Sequence, residues 1–169
     1  MYFDVVQASA PSRIIIVSSA LHKYGHIDFD NLDSKSSYKN RPSYADTKLA
    51  NNLFARELAR RTEGLGVSIY CLRPGIVRTQ LGQHVPLVMF LSFLLWPLRW
   101  LLMKSAQEGC QTVLYCAVSE ELQDESGHFY ANCAEEVWSK VSLDDSTATE
   151  LWNVSEVLTG IRLPNSLLE

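Results

Sequence analysis

The sequence predicts one α/β domain built around a parallel sheet, and three features of the chain support this prediction. Residues 13–20 begin with a β-branched apolar run, and residues 67–75 contain a second apolar run, which is the composition of strands buried on both faces of a sheet. Residues 44–62 between them carry apolar side chains at helical spacing. Strand, helix and strand in this order form one βαβ crossover, which is right-handed almost without exception.

The predicted elements follow in the order that such a sheet requires. Residues 13–20 are expected to form a central strand that ends in two serines, and residues 21–41 a long polar loop. The next helix is predicted to start at Ser43 as its N-cap and to bury Leu49, Leu53, Phe54 and Leu58. The second strand, at 67–75, is ended by Pro74-Gly75.

The remaining residues predict two more helices and a short strand. Residues 108–118 are expected to form a helix that buries Cys110, Val113, Leu114 and Ala117. Residues 126–132 are expected to form a strand that is entered through Gly127. The last helix is predicted at 144–158, with Ser146 or Asp145 as its cap and an apolar face of Leu151, Trp152, Val154 and Leu158.

Composition restricts the classes of function. The chain has 169 residues, of which 47% are hydrophobic and 20% charged, as in an ordinary globular domain. Its net charge is −4 and no cluster of Lys and Arg alternates with aromatic residues, which argues against nucleic-acid binding. The four cysteines form no C-x-x-C pair, so we expect reduced thiols and no bound metal. Residues 1–10 do not have the pattern of a signal peptide.

Residues 85–103 are the most apolar segment of the chain. Their uncharged run is too short to span a bilayer and is interrupted by Pro97. Tryptophans and cations at the end of the segment suit a helix that lies in a membrane interface. A buried core helix or a lid over an apolar pocket explains the same pattern, and the sequence leaves these alternatives open.

Tyr44 and Lys48 are four residues apart in the first turns of the predicted helix, so their side chains share one helix face. A nearby ammonium favours the phenolate form of tyrosine, which allows the phenol to exchange a proton with a substrate near neutral pH. Ser19 ends the first strand at the carboxyl edge of the sheet, where ligands bind in open α/β folds. Its hydroxyl is expected to hold a substrate oxygen against the phenol.

Each of these three residues also has an ordinary structural explanation. Tyr44 could be a packing residue, Lys48 a solvated charge, and Ser19 a cap for a backbone group at the strand end. The combination of all three with the Pro-Gly that closes the next strand favours the catalytic interpretation.

The segments VSS (17–19), YADTK (44–48) and RPGIVRT (73–79) resemble the second half of the short-chain dehydrogenase/reductase signature, in its retinol dehydrogenase branch. The resemblance implies a partial Rossmann-like, doubly wound parallel sheet of about three strands with flanking helices. It implies that Tyr44 is the catalytic acid/base, that Lys48 lowers its pKa and holds the nicotinamide ribose, and that Ser19 orients the substrate. It further implies that the nicotinamide end of the cofactor meets Tyr44, Lys48, Pro74, Gly75, Val77 and Thr79.

Several parts of the family pattern have no counterpart in this sequence. They are the glycine-rich turn that seats the pyrophosphate, the residue that selects NAD or NADP, the Asn-Asn-Ala-Gly strand, and the helix with a catalytic Asn. We therefore expect residues 1–169 to be a single incomplete domain, the C-terminal half of an enzyme without its dinucleotide-binding half. We also expect the strand at 13–18 to have a bare edge, which predicts marginal stability or aggregation.

The resemblance implies an oxidoreductase of retinol metabolism that interconverts a lipophilic alcohol and its aldehyde by hydride transfer, with activity impaired or lost in this shorter chain. NADP is the cofactor implied and NAD the alternative. Retinoids or lipid aldehydes are the implied substrates, residues 85–103 are their binding segment, and the cytosol-facing surface of the endoplasmic reticulum is the implied location. The alternative function is a non-catalytic module that binds a membrane or a protein partner. A sugar-nucleotide epimerase shares the Y-x-x-x-K chemistry, but an apolar segment suits a polar sugar badly.

Overall fold

The architecture is a four-stranded sheet with helices on both faces. It is seen in a computed structural model that describes residues 2–32, 44–77, 103–123 and 125–162. The strands lie side by side in chain order and are β1 (Ser12–Val17), β2 (Val67–Arg73), β3 (His128–Ala131) and β4 (Ala134–Glu135). The first three strands are parallel and β4 is antiparallel to β3, so the predicted α/β class with a partial doubly wound parallel sheet is confirmed.

Helices precede, connect and follow the strands. Those described are α1 (Tyr2–Ala8), α2 (Tyr44–Arg61), α3 (Ala106–Gly109), α4 (Gln111–Val118) and α5 (Asp145–Thr159). Short 3₁₀ turns occupy Ala20–Tyr24, Phe29–Asn31, Glu120–Leu122 and Lys140–Leu143. The sequence did not predict α1 or β4.

The core is divided by the sheet into two layers because alternate residues of a strand point to opposite faces. On one face, Ile69 and Cys71 of β2 pack with Leu58 of α2 and Trp152 of α5. On the other face lie Tyr70 and Leu72, which pack with Tyr130, Cys116 and Leu122. Strand β2 is therefore buried on both faces, as its apolar run predicted.

In the described part of the sheet, strand β1 lies at the bare edge expected from the resemblance, and not at the central position that its composition predicted. It pairs only with β2 in the described part of the sheet, and most of its side chains are half-buried. An apolar run is equally compatible with a strand that is covered on its faces but unpaired along one edge. The composition of a single strand does not report how many neighbours it has.

Helix α2 confirms the predicted periodicity with one exception. Leu49, Leu53 and Leu58 are buried, whereas Phe54 is 42% exposed. The Phe54 ring instead stacks on Trp152 of α5, with ring centroids 5.4 Å apart. The prediction that Phe54 belongs to the buried face was wrong because it lies at the margin of that face, where a second helix covers one side of the ring.

The predictions for the later helices need three further corrections. The single helix expected at 108–118 is two helices that meet at Cys110, and the buried side chains of α4 are Thr112 and Cys116 while Cys110 and Leu114 are exposed. The N-cap of α5 is Asp144, whose side chain accepts the backbone N–H of Thr147. Leu158, expected on the buried face of α5, is 64% exposed.

Candidate active site

The predicted site residues lie where β1 and β2 end. Strand β1 ends at Val17, and Ser18 and Ser19 follow; β2 ends at Arg73, and Pro74 and Gly75 follow. Because the two strands are parallel, with Val17 paired to Leu72, these residues come out at the same edge of the sheet. Helix α2 begins near this edge with Tyr44 and continues through Lys48.

Lys48 binds the end of β1 and lies next to Tyr44. Its Nζ donates a hydrogen bond of 3.1 Å to the carbonyl oxygen of Val17, and it lies 5.5 Å from the centroid of the Tyr44 ring. Tyr44 is 42% exposed, which leaves its ring open on one side. The structure therefore brings the predicted phenol and ammonium together, and neither residue has the ordinary role considered from the sequence: Tyr44 is not a buried packing residue and Lys48 is not a freely solvated charge.

Two residues that the sequence analysis did not assign to the site hold α2 against the end of β1. Asn51 Nδ2 donates to the same Val17 carbonyl, at 3.1 Å. The buried Ser18 donates its hydroxyl to the carbonyl of Lys48, at 2.9 Å, and its backbone N–H to Leu72, at 2.7 Å. The signal for Asn51 is its spacing, three residues after Lys48 on the same helix face.

Ser19 is half-buried and lies two residues beyond the carbonyl that binds Lys48. Its hydroxyl oxygen accepts the backbone N–H of Leu21 at 3.3 Å and so caps the 3₁₀ turn Ala20–Tyr24. The ordinary role considered from the sequence, a cap at a strand end, is thus present. Among the described residues there is no hydrogen bond from the Ser19 hydroxyl to Tyr44 or Lys48, so a joint action of the three side chains stays a prediction.

The turn after β2 is tightly built. Gly75 has φ of +88°, a conformation that favours glycine, and a Cβ there would lie 3.4 Å from the side chain of Lys104. The backbone N–H of Lys104 donates to the Ile76 carbonyl at 2.9 Å, and its Nζ donates to Asn132 Oδ1 at 2.7 Å. Lys104 thus holds the Pro74–Val77 turn to the β3–β4 hairpin. Pro74, Gly75 and Val77 are half-buried, and Thr79 lies outside the described residues.

An ionic cluster joins the same edge to the β3–β4 hairpin. Glu136 contacts Arg73 Nε at 2.7 Å and Lys23 Nζ at 3.5 Å. Burial by itself opposes ionisation of Glu136, but the hydrogen bond and charge of Arg73 outweigh it, so the pKa of this carboxyl is lowered. Glu136 is therefore an anion that ties β2 to the hairpin.

Two cavities lined by described residues lie away from Ser19, Tyr44 and Lys48. One, of about 410 Å³, is apolar and lies beside Ile14, Leu58 and Trp152. The other, of about 630 Å³, lies at the opposite ends of the strands, near Gly66 and Ser126. Within the described ranges no three His, Cys, Asp or Glu side chains cluster as a metal site would require.

The apolar segment at 85–103 lies outside the described residues except for Met103. In the part of the chain that the structure describes, no helix is both long enough and apolar enough to cross a bilayer. The expected contact of this segment with a substrate or a membrane therefore stays a prediction.

Comparison with curated proteins finds relatives that match nearly the whole chain. The chain is 45% identical over 161 residues to retinol dehydrogenase 14 of Homo sapiens, an alignment that covers 95% of this chain and 48% of the relative. It is 43% identical over 162 residues to human retinol dehydrogenase 12, with 96% of this chain and 50% of the relative covered. Human retinol dehydrogenase 13 is 40% identical over 168 residues, with coverages of 98% and 51%. The chain spans about half the length of these relatives.

A solved structure shares the fold. A protein of unassigned function from Mycobacterium Paratuberculosis superimposes with a TM-score of 0.63 and 25% identity, covering 90% of this chain and 52% of that one. No family model matches the chain.

Proposed function

We propose, from the relationship of this chain to the retinol dehydrogenases of the short-chain dehydrogenase/reductase family, that it carries the proton-transfer part of an oxidoreductase site. The reaction proposed is the interconversion of a lipophilic, retinol-like alcohol and its aldehyde with NADP(H) as cofactor and NAD as the alternative. The observation that supports it best is Lys48, whose Nζ lies 5.5 Å from the Tyr44 ring while it binds the end of β1.

Three side chains have the chemistry that reduction of an aldehyde requires. The Tyr44 phenol donates its proton to the aldehyde oxygen, and the O–H bond of the product alcohol forms as the phenol O–H bond breaks. The Lys48 ammonium stabilises the phenolate that remains. The Ser19 hydroxyl hydrogen-bonds the same substrate oxygen and holds it against the phenol. When bound, the nicotinamide cofactor supplies the hydride.

The residues present suit the nicotinamide end of that cofactor. Lys48 offers an ammonium for ribose hydroxyls, and Gly75, with φ of +88°, allows the sharp turn after β2 that leaves Pro74 and Val77 at this edge of the sheet. Tyr44, Lys48, Pro74, Gly75, Val77 and Thr79 are the residues proposed to hold it. The sequence offers no glycine-rich turn for the pyrophosphate, so we expect weak cofactor binding and impaired activity in this chain.

Retinal reduction by the purified chain with NADPH tests the proposal. Tyr44→Phe keeps the ring beside Lys48 but removes the proton donor, so we expect it to lower kcat by about 10²–10⁴-fold, the range of general acid–base catalysis. Tyr115→Phe is the matched control, because it removes the same hydroxyl from a tyrosine of α4 whose phenol contacts Glu121. Equal rates for the wild type and Tyr44→Phe would refute the assignment.

The location proposed is the cytosol-facing surface of the endoplasmic reticulum membrane. Its support is the apolar segment at 85–103 and the lipophilic alcohol named in the relatives. Fractionation of cells that express the chain would test it, and recovery of the chain with neither microsomes nor other membranes would contradict it.

A second function is supported by the open edge of β1, since an unpaired strand edge can bind another polypeptide. In this alternative the chain is a non-catalytic module that binds a membrane or a protein partner. Liposome co-sedimentation separates the two functions. The module would be favoured by two results together. The chain would lack reductase activity, and its liposome binding would survive Tyr44→Phe but be lost when Leu91 and Leu95 are replaced by Asp.

A further inference from the structure

The carbonyl of Ser19 receives two hydrogen bonds from one residue, His22. The backbone N–H of His22 donates to it at 3.1 Å, and the ring Nδ1 lies 2.5 Å from the same oxygen. The first bond is the ordinary closure of the 3₁₀ turn Ala20–Tyr24, whereas the second fixes the turn from its side-chain face. Ser19 is thus held both at its hydroxyl, by Leu21, and at its carbonyl.

The His22 ring is in a position to hold that carbonyl firmly. His22 is 1% exposed, and its ring packs edge-on against Phe129 of β3, with centroids 5.4 Å apart. Burial lowers the pKa of His22, although the bond to Ser19 and the charge of Glu136 act in the opposite direction and the charges of Lys23 and Arg73 act with burial. Burial therefore favours the neutral form of the ring.

The geometry also determines which ring nitrogen carries the proton. A carbonyl oxygen can only accept, so Nδ1 must be the protonated nitrogen. Nε2 is then an unprotonated acceptor, and it is a buried side-chain atom without a hydrogen-bond partner among the described residues. A leucine would fill this space without leaving an unpaired polar atom, so the imidazole has an energetic cost that packing alone does not explain.

The far end of the same turn docks on the first turn of α2. A Cβ at Gly25 would lie 2.5 Å from the Ala45 carbonyl oxygen, so only glycine allows this approach. The next residue, His26, donates its backbone N–H to Asp46 Oδ1 at 2.8 Å. The turn that begins at Ser19 therefore ends against the two residues that follow Tyr44.

We propose that His22 is a positioning residue that fixes Ser19 relative to Tyr44 through its Nδ1–H bond to the Ser19 carbonyl. The proposal rests on the function proposed above, because it gives Ser19 and Tyr44 their roles. The turn that begins at Ser19 is held against β3 by the His22 ring and against the start of α2 by Gly25 and His26. Ser19 is therefore fixed relative to both elements. An error of about 1 Å in such a placement can cost about 10²-fold in rate.

Three substitutions separate positioning from packing. In His22→Asn the amide nitrogen can take the place of Nδ1, in His22→Gln it reaches the place of Nε2 instead, and in His22→Leu no donor is left. If His22 only packs against Phe129, Asn should be the worst replacement because it leaves the largest cavity, and Leu the best. If His22 positions Ser19, Asn should be the best of the three.

The first measurement needs no cofactor. Amide hydrogen exchange of Leu21 and His22 in the full chain reports the turn directly, and we expect exchange at least about tenfold faster in the Gln and Leu variants than in the wild type, with Asn close to wild type. A long-range ¹H–¹⁵N spectrum of the wild type should show His22 protonated at Nδ1 and not at Nε2. Protonation at Nε2, or faster exchange in Asn than in Leu, would overturn the proposal.

The second measurement is kcat for retinal reduction with NADPH. We expect kcat to fall at least about tenfold in the Gln and Leu variants with KM changed much less, and to stay within about threefold of wild type in Asn. If amide exchange follows the expected pattern but kcat is unchanged in all variants, the bond from His22 to Ser19 does not contribute to catalysis and the proposal is overturned. Full activity in Tyr44→Phe would refute the proposed function, and the exchange data would then decide the structural role of His22 alone.

Gly25→Ala tests independently whether the docking of this turn on α2 sets the position of Ser19. Gly25 has φ of −77°, which alanine adopts freely, so the substitution acts through contact of the new Cβ with the Ala45 carbonyl, at 2.5 Å, and with the Leu49 Cβ, at 2.8 Å. We expect the turn to move away from α2 and kcat to fall at least about tenfold, while the His22 spectrum keeps its protonated Nδ1. An unchanged kcat would show that the docking of the turn does not set the position of Ser19.

Discussion

Glu57 is a buried carboxylate that is bound by two arginines of α2, one largely exposed and one largely buried. It is 3% exposed and contacts Arg61 Nε at 2.6 Å and an Arg60 nitrogen at 2.7 Å. Burial by itself raises the pKa of Glu57, but the hydrogen bonds and charges of Arg60 and Arg61 outweigh burial and lower it. The ionised carboxylate is therefore stable inside the protein only while its partners remain.

We expect the two arginines to contribute unequally to stability. The Arg61 side chain is 15% exposed and its guanidinium lies 4.8 Å from the Trp152 ring centroid, whereas the Arg60 side chain is 63% exposed. Arg61→Met should lower the free energy of unfolding by about 1–3 kcal/mol, because it removes a bond to a buried charge. Arg60→Met should cost less, about 1 kcal/mol, because the Arg60 side chain lies largely in solvent although it donates to both carboxylate oxygens of Glu57. Urea unfolding followed by circular dichroism measures both, and equal losses would contradict this account.

The ionised Glu57 carboxylate also predicts that the stability of the protein depends on pH. The pKa of Glu57 in the folded state is lower than its unfolded value of 4.5, so the unfolded chain binds the proton more readily. The contribution of Glu57 is complete above pH 4.5 and is lost as the pH falls toward the folded pKa. Glu57→Gln should flatten the decline of stability in this window, which unfolding at several pH values would detect.

At the residue scale, the sequence predicted the parts of the site that depend on local spacing. Tyr44 and Lys48 could be paired because residues four apart on a helix share a face. His22 and Ser18 were missed because their contacts depend on how the segment after β1 folds back onto α2 and β3. Asn51 shares a helix face with Lys48, but its contact with Val17 depends on how α2 packs against β1. The spacing of residues along the sequence does not indicate these tertiary contacts.

At the scale of elements, a buried polar link joins α2 to the 3₁₀ turn Lys140–Leu143. Asn52 Nδ2 donates to the Ser142 hydroxyl at 3.0 Å, and both residues are 0% exposed. Burial raises the pKa of the Cys71 thiol to about 12, and this thiol donates to Asn52 Oδ1 at 3.4 Å. Arg56 completes the link by donating to the Ser142 carbonyl at 2.8 Å.

Because this link is fully buried, removing half of it should be costly. We expect Ser142→Ala to lower the free energy of unfolding by about 1–3 kcal/mol, since it leaves an Asn52 N–H buried without an acceptor. The double variant Asn52→Leu/Ser142→Ala should recover part of that loss, because both polar groups are removed. Ser155→Ala, at an exposed position on α5, is the control and should change stability by less than about 0.5 kcal/mol. Additive losses in the double variant would argue against the link.

The elements that were predicted incorrectly from the sequence have two causes. The break between α3 and α4, the cap at Asp144 and the short strand β4 are set by neighbours that are distant in the chain or by a choice among adjacent polar residues. Asp144 rather than Asp145 or Ser146 caps α5 because its carboxylate reaches both the N–H and the hydroxyl of Thr147. Asp and Ser are both residue types that favour the N-cap position, so the sequence alone does not distinguish Asp144, Asp145 and Ser146.

At the scale of the whole molecule, the sheet has an open edge in its described part. The backbone N–H of Ser12 donates to Gly66, just before β2, and that of Ser18 donates to Leu72 of β2. In a parallel ladder the odd-numbered residues of β1 therefore direct their backbone groups away from β2. The Val17 carbonyl on that side is bound by Lys48 and Asn51, which close one end of the edge. The position of this strand was not predictable from its own composition, whereas the bare edge was expected from the resemblance.

We expect this edge to make the isolated chain self-associate, with larger species increasing with concentration in size-exclusion chromatography. Ile15→Pro should reduce the association, because it removes an N–H that faces away from β2 and leaves the β1–β2 ladder intact. Ile16→Pro is the matched control: it removes a similar side chain but also a donor to β2, so it should unfold the chain rather than make it monomeric. Since an exposed edge lowers stability, urea unfolding of the wild type should have a low midpoint. A monomeric wild type with a high midpoint would show instead that β1 is protected and that the chain is stable as it stands.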